Sequence, residues 1–215
     1  MRLIHRQEKW VLTVQGWLLF LVSVTALMLF MLSHIHPFLS PISPIKSDIL
    51  VVEGWIPDYA IQDAIREFEK GSYQKLITTG IPLEKGYFLA QYKNYADLAA
   101  ATLLVLGFAP DKLVAAPAPD VIRNRTFASA LAVRQWINNS ELKVKSINLY
   151  TYDVHAQRSW LVFKQVFAPE IKVGVIAAKP IIYDPNYWWV SSEGVRSIIS
   201  EAIAYIYARF VNWRA

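Results

Sequence analysis

The chain contains no cysteine in 215 residues, which removes disulfides, thiolate metal sites and cysteine nucleophiles together. Histidine is almost as scarce. His5, His34 and His36 lie within or beside the N-terminal apolar region, so His155 stands alone in the remainder and a His-rich zinc site is excluded. The eight glycines form neither a G-x-G-x-x-G turn nor a Walker loop, and G-x-S-x-G and H-E-x-x-H are absent too. There is no internal repeat and no low-complexity tract. Positive charge is not concentrated either: of the net +5, the first residues supply +2 (Arg2, Arg6 and Lys9 less Glu8), leaving +3 for the rest. No Lys/Arg cluster of the kind that grips a phosphate backbone is present, so nucleic acid is excluded as a partner. Two glycosylation sequons, "NRT" and "NNS", are too short a pattern to weigh.

What is abundant is apolar sequence. From Val11 to Leu32 there are 22 residues without a charge, which matches the roughly 30 Å hydrocarbon core at 1.5 Å per residue. A cleavable signal peptide would have a shorter apolar region and a small-x-small cleavage site. A buried core helix would show recurring polar residues on one face. The run therefore reads as an uncleaved transmembrane helix. Basic residues precede it, and Lys46 is the first Lys or Arg after it, so the positive-inside rule keeps the N-terminus cytoplasmic and puts the remainder outside. The expected organisation is a cytoplasmic tail (1–10), a transmembrane helix (11–32), a linker (33–47) with three prolines and four serines, and a domain (48–215).

Within that domain, strand-like runs alternate with amphipathic ones. "DILVVEG", "KLITTG", "DKLVAAP", "VKSINLYTY" and "IKVGVIAA" are apolar on both faces. Between them lie helical patterns: "DYAIQDAIREFEKG" with Asp58 as its N-cap, then runs through "YADLAAATLLVLGF", "RTFASALAVRQWINN" and "VHAQRSWLVFKQVF". A last helix over Glu193–Phe210 should bury Ile198, Ile199, Ala202, Ile203, Tyr205 and Ile206. This alternation predicts an α/β, Rossmann-like three-layer sandwich around a mostly parallel five-stranded sheet, preceded by one transmembrane helix.

Ligands of open α/β sheets bind beyond the carboxyl ends of the strands, and polar groups gather there. Glu53 and Gly54 end the first strand, Thr79 and Gly80 the second. Arg123, Arg125 and Thr126 follow the third, Asp153, His155 and Arg158 the fourth, and Glu193 comes after the fifth. An acid such as Glu53 in an apolar run is costly unless paired. The arginines match phosphate or carboxylate oxygens, and the helix N-termini beside them favour anions. Each arginine could equally pair with a surface acid, Asp153 could simply cap the helix, and the glycines could serve tight turns. His155 can donate a hydrogen bond or exchange a proton near neutral pH. The candidate catalytic set is His155, Arg158, Asp153 and Glu53. The candidate ligand-binding set is Gly54, Thr79, Gly80, Arg123, Arg125, Thr126 and Glu193. No metal site is assigned and no cofactor is specified. Trp188 and Trp189 either pack under the last helix or face a partner or membrane surface.

The ordered series "DILVVEGW", "KLITTG", "NRTFASA" and "YTYDVHAQRS" resembles the SanA/ElyC/YdcF family of bacterial envelope proteins over Asp48–Phe210. His155 and Arg158 occupy the positions of that family's His-x-x-Arg. The chain departs from the family in two places. Arg125, Ala128 and Ser129 replace an amide, an acid and a second amide around Thr126, and the first strand ends in Glu53-Gly54-Trp55 rather than a glycine-rich turn. The resemblance implies anchoring in the bacterial inner membrane and a role in envelope or peptidoglycan biogenesis. Two functional readings follow: binding of an anionic, phosphate-bearing metabolite, lipid-linked or nucleotide-like, or a non-catalytic regulator or scaffold of envelope-synthesis proteins. Methyl transfer with a nucleoside cofactor has only fold analogy behind it.

Overall fold

The computed structural model describes residues 10–210. The tail residues that carry the orientation argument lie outside them. The chain divides into two compact units, residues 1–35 and 36–215. The first consists of most of α1 (Val14–Leu39), whose side chains are almost all exposed and which is long and apolar enough to cross a membrane.

The second unit is built on five parallel strands: β1 (Ile49–Glu53), β2 (Lys75–Gly80), β3 (Leu113–Pro117), β4 (Ser146–Tyr152) and β5 (Lys172–Ala178), in the order β3-β2-β1-β4-β5. Strand side chains alternate between faces, so each face of β1 feeds a different core. Leu50 and Val52 pack with Ala60, Ile61, Ala64 and Phe68 of α2 (Asp58–Lys70) and with Ala99 and Leu103 of α3 (Tyr95–Val105). Ile49 and Val51 pack with Ala130, Val133 and Ile137 of α4 (Arg125–Asn139) and with Phe163, Val166 and Phe167 of α5 (Ala156–Phe167). Both faces are thus closed by helices, which is why β1 is buried throughout. The last helix, α6 (Ser192–Phe210), packs on α5.

The chain runs outward from β1 to β3 and returns to lay β4 against the other side of β1. The crevice at that reversal, between the carboxyl ends of β1 and β4, is where this architecture accepts ligands.

Three local expectations are corrected. Asp58 is the first residue of α2, behind Pro57, with no side-chain cap; its carboxylate still complements the dipole in the first turn. On α6 the buried residues are Gly194, Ile198 and Ala208, while Ile199, Ile203 and Ile206 face outward. The third correction concerns the linker. The helix continues to Leu39, and residues 36–47 are docked on the domain. Ser43 exchanges two backbone hydrogen bonds with Val175 on the edge strand β5, and the Asn148 side-chain amide binds both the N–H and the carbonyl of Ile45. Pro41 and Pro44 flank this pairing. Proline marks a sheet-edge segment as readily as a linker, because it lacks only the N–H.

His36 anchors the docked segment. Its Nε2 lies 2.8 Å from Asp153 Oδ1, with the two residues 8% and 2% exposed, and Tyr183 donates its hydroxyl to the other Asp153 oxygen. Burial, and then this bond to Asp153, push the Tyr183 phenol well above its ordinary range, so it stays a donor. His36→Ala leaves a buried carboxylate one partner short and is expected to cost about 1–3 kcal/mol. A urea midpoint compared with that of the parent chain checks this.

Candidate functional site

The pleat that sends Ile49 and Val51 toward α4 and α5 sends Glu53 the same way, and on β4 it does the same for Thr151. Glu53 therefore ends the central strand with a carboxylate that is 2% exposed. The hydroxyl of Thr151 donates to its Oε2, and Ser159 on α5 lies 3.1 and 3.3 Å from its two oxygens. A carboxyl group buried among apolar side chains is tolerated only with such partners.

His155 follows β4 on a short 3-10 turn, Asp153–His155, and occupies the N-cap position of α5. Its Nε2 faces Glu53 Oε2 at 3.7 Å, too far for a hydrogen bond. Nε2 is the one buried side-chain polar atom among the described residues that has no hydrogen-bond partner. The other ring nitrogen is crowded: Nδ1 lies 3.1 Å from Glu201 Oε1 and 2.8 Å from Arg158 Nη2. A proton on Nδ1 is donated to Glu201. With the proton on Nε2 instead, Nδ1 accepts from Arg158. The two tautomers thus present Nε2 as acceptor or as donor at the same point. The ring is held edge-on against Trp55, with centroids 4.8 Å apart.

Arg158 sits three residues on, on the same helical face. It grips Glu201 with Nε at 2.8 Å and Nη2 at 3.0 Å, and Nη1 reaches the Thr126 hydroxyl at 3.5 Å. Burial alone would push the Glu201 carboxyl up, but hydrogen bonds and charge from His155 and Arg158 outweigh it and hold Glu201 at about 2.

These groups line one wall of a cleft of about 620 Å³. Arg123, Asn124, Arg125 and Thr126, at the start of α4, line it as well. Asn124 adopts a left-handed conformation (φ 59°), which asparagine tolerates better than most residues, and it provides no side-chain cap. The first N–H groups of α4 are therefore not satisfied by it. Arg125 pairs with Glu84, both half exposed, whereas Arg123 has no ion pair or hydrogen bond among the described residues.

The expected site residues thus divide. Glu53, His155, Arg158, Arg123, Arg125, Thr126 and Gly80 all line the cleft. Asp153 does not. Its carboxylate neither caps α5 nor touches His155, but is committed to His36 and Tyr183, and its backbone takes φ 45°. That turn is held by its partners, so Asp153 fixes the position of His155 from behind. Thr79 faces the sheet core and bonds the carbonyls of Ala116 and Ser129. A Cβ at Gly54 would come within 2.2 Å of the Tyr95 carbonyl, and one at Gly80 within 2.6 Å of the Tyr95 side chain. Both glycines are required by the approach of α3. Glu193 is exposed in the first turn of α6, bonded to Ser192, and is not part of the cleft wall. The acid that α6 contributes is Glu201, which sequence reasoning missed. Its signal is a heptad: Gly194 and Ala208, seven residues to either side, are both buried, so Glu201 is in phase with the inward face. Trp188 is buried, and Trp189 is partly exposed. Among the described residues no group of three or more His, Cys, Asp or Glu is arranged to hold a metal ion.

No protein-family model matches the chain, and no curated protein matches it. The site itself makes a definite demand on pH. An ordinary glutamate near 4.5 that is held near 2 stabilises the fold above 4.5 and loses that contribution as pH falls toward 2. The gap corresponds to about 3 kcal/mol. Glu201→Gln is therefore expected to be less stable than the parent at neutral pH, with the difference shrinking through that acid window. Unfolding free energies measured across the window check it.

Proposed function

We propose that the chain is a membrane-anchored envelope-biogenesis protein akin to the SanA/ElyC/YdcF group. In this reading α1 lies in the bacterial inner membrane and the domain is extracytoplasmic. The domain binds a phosphate-bearing metabolite, lipid-linked or nucleotide-like, in the cleft at the β1/β4 reversal. The observation that carries this reading is the buried Nε2 of His155, without a hydrogen-bond partner among the described residues, on a residue that lines the same cleft as Arg123, which has no ion pair or hydrogen bond among them either. A buried polar atom without a protein partner calls for a donor or acceptor to complete it, and a ligand group is one that would.

Charge supports an anion, with a qualification that magnitude resolves. Three glutamates (Glu53, Glu84, Glu201) and three arginines (Arg123, Arg125, Arg158) line the cleft, and two of the arginines are paired with glutamates, Arg158 with Glu201 and Arg125 with Glu84. The Arg158–Glu201 pair is largely buried and stays intact, and its role is to fix His155. The Arg125–Glu84 pair is half exposed, and such pairs contribute about 0–1 kcal/mol. A phosphate, with stronger charge-assisted hydrogen bonds, displaces Glu84. Arg123, Arg125 and the α4 N-terminus then hold the anion, and His155 exchanges a proton with it. The second reading, a non-catalytic regulator or scaffold, draws support from the fact that Arg158 is already satisfied by Glu201.

Mass spectrometry of compounds that co-purify with the detergent-solubilised full chain separates the two. Arg123 has no ion pair or hydrogen bond among the described residues, so Arg123→Ala is expected to leave the fold intact. It is expected to lower retention of a phosphate-bearing compound about tenfold or more, the worth of one hydrogen bond between charged groups. Undiminished retention in both Arg123→Ala and His155→Ala would instead favour the scaffold.

A further inference from the structure

The inward face of α6 supplies Glu201 and Ala204 to the cleft, and its outward face is apolar. Ile199, Ile203, Ile206 and Phe210 follow one another at helical spacing, and all are exposed, Ile203 by 64% and Phe210 by 82%. An amphipathic helix at the surface of a water-soluble domain would carry polar residues along that stripe. Arg196 and Arg209 flank it, both exposed. The 3-10 segment immediately before α6, Pro185–Val190, adds exposed Tyr187, Trp189 and Val190. Aromatic side chains beside aliphatic ones with basic flanks are the composition of a surface at the boundary of a bilayer.

Chain length says what covers the stripe. Six residues lead from Leu32, the last residue of the uncharged run, to Phe38, a reach of at most about 22 Å when fully extended. The Phe38 ring packs edge-on against Tyr205 of α6, with centroids 5.3 Å apart. An anchor ending at Leu32 is thus joined by six residues of chain to the Phe38 ring that packs on α6.

We infer that the exposed face of α6 is the membrane-contacting surface of the domain, with its isoleucines seated at the lipid interface and Arg196 and Arg209 meeting anionic headgroups. This rests on the reading of α1 as a membrane anchor. The same helix then serves two surfaces, its inward face lining the cleft and its outward face meeting lipid.

The absence of cysteine makes the test direct. The full chain carrying a single nitroxide label at Ile203→Cys, Ser200→Cys or Leu21→Cys is reconstituted into phosphatidylethanolamine/phosphatidylglycerol vesicles. Collisions of each label with oxygen and with a water-soluble nickel complex are then measured. The expected result is loss of nickel collisions at 203 and 21, with oxygen collisions retained, while 200, off the stripe, stays open to nickel. Free nickel access at 203 with 21 shielded overturns the inference and leaves the anchor standing. Free access at both overturns the anchor and the inference together. Spin–spin broadening at 203 shows that a second copy, rather than lipid, covers the stripe, and this also overturns it.

Discussion

A carboxyl group at the end of a strand buried on both faces is the constraint from which the site grows. Glu53 cannot reach water, so its surroundings must supply donors. Thr151 on the neighbouring strand and Ser159 on the helix that follows do so. These bonds hold the ends of β1, β4 and α5 in one arrangement, and His155 comes between them. A hydrophobic residue at position 53 would satisfy the core at least as well, because buried polar groups bring little net stability. An acid stands there nonetheless, 3.7 Å from an imidazole nitrogen that has no partner among the described residues.

His155 is fixed from both sides. In front, Arg158 and Glu201 set the Nδ1 side of its ring. Behind, the strained turn at Asp153 is held by His36 and Tyr183. His36 belongs to the segment that follows the apolar run, so that segment takes part in shaping the strand-end turn. The two outer contributors, His36 and Glu201, come from opposite ends of the chain. Only a closed domain brings them together.

Much of this was legible in the sequence. Strand runs apolar on both faces announced a parallel sheet, and α4 spans the very run "RTFASALAVRQWINN" read as a helix. Glu53, His155 and Arg158 were identifiable because strand ends converge at a reversal of strand order. What stayed hidden depends on rotation and on distance. Thr79 is a strand-end residue on the same face as Glu53, but its hydroxyl is spent on the carbonyls of Ala116 and Ser129, while that of Thr151 meets Glu53. Glu201 lies 46 residues from His155, and its inward phase became clear only when Ile199, Ile203 and Ile206 proved to be the outward face. The partner of Asp153 lies 117 residues away, in a stretch whose prolines suggested a linker.

The central claim is that the unpartnered nitrogen of His155 marks a ligand position. Crystals of the full chain soaked in phosphate test it most directly. An anion within hydrogen-bond distance of His155 Nε2, with Arg123 turned toward it, is the expected result. A dry, unaltered gap between His155 and Glu53, with phosphate bound only elsewhere on the surface, would contradict it.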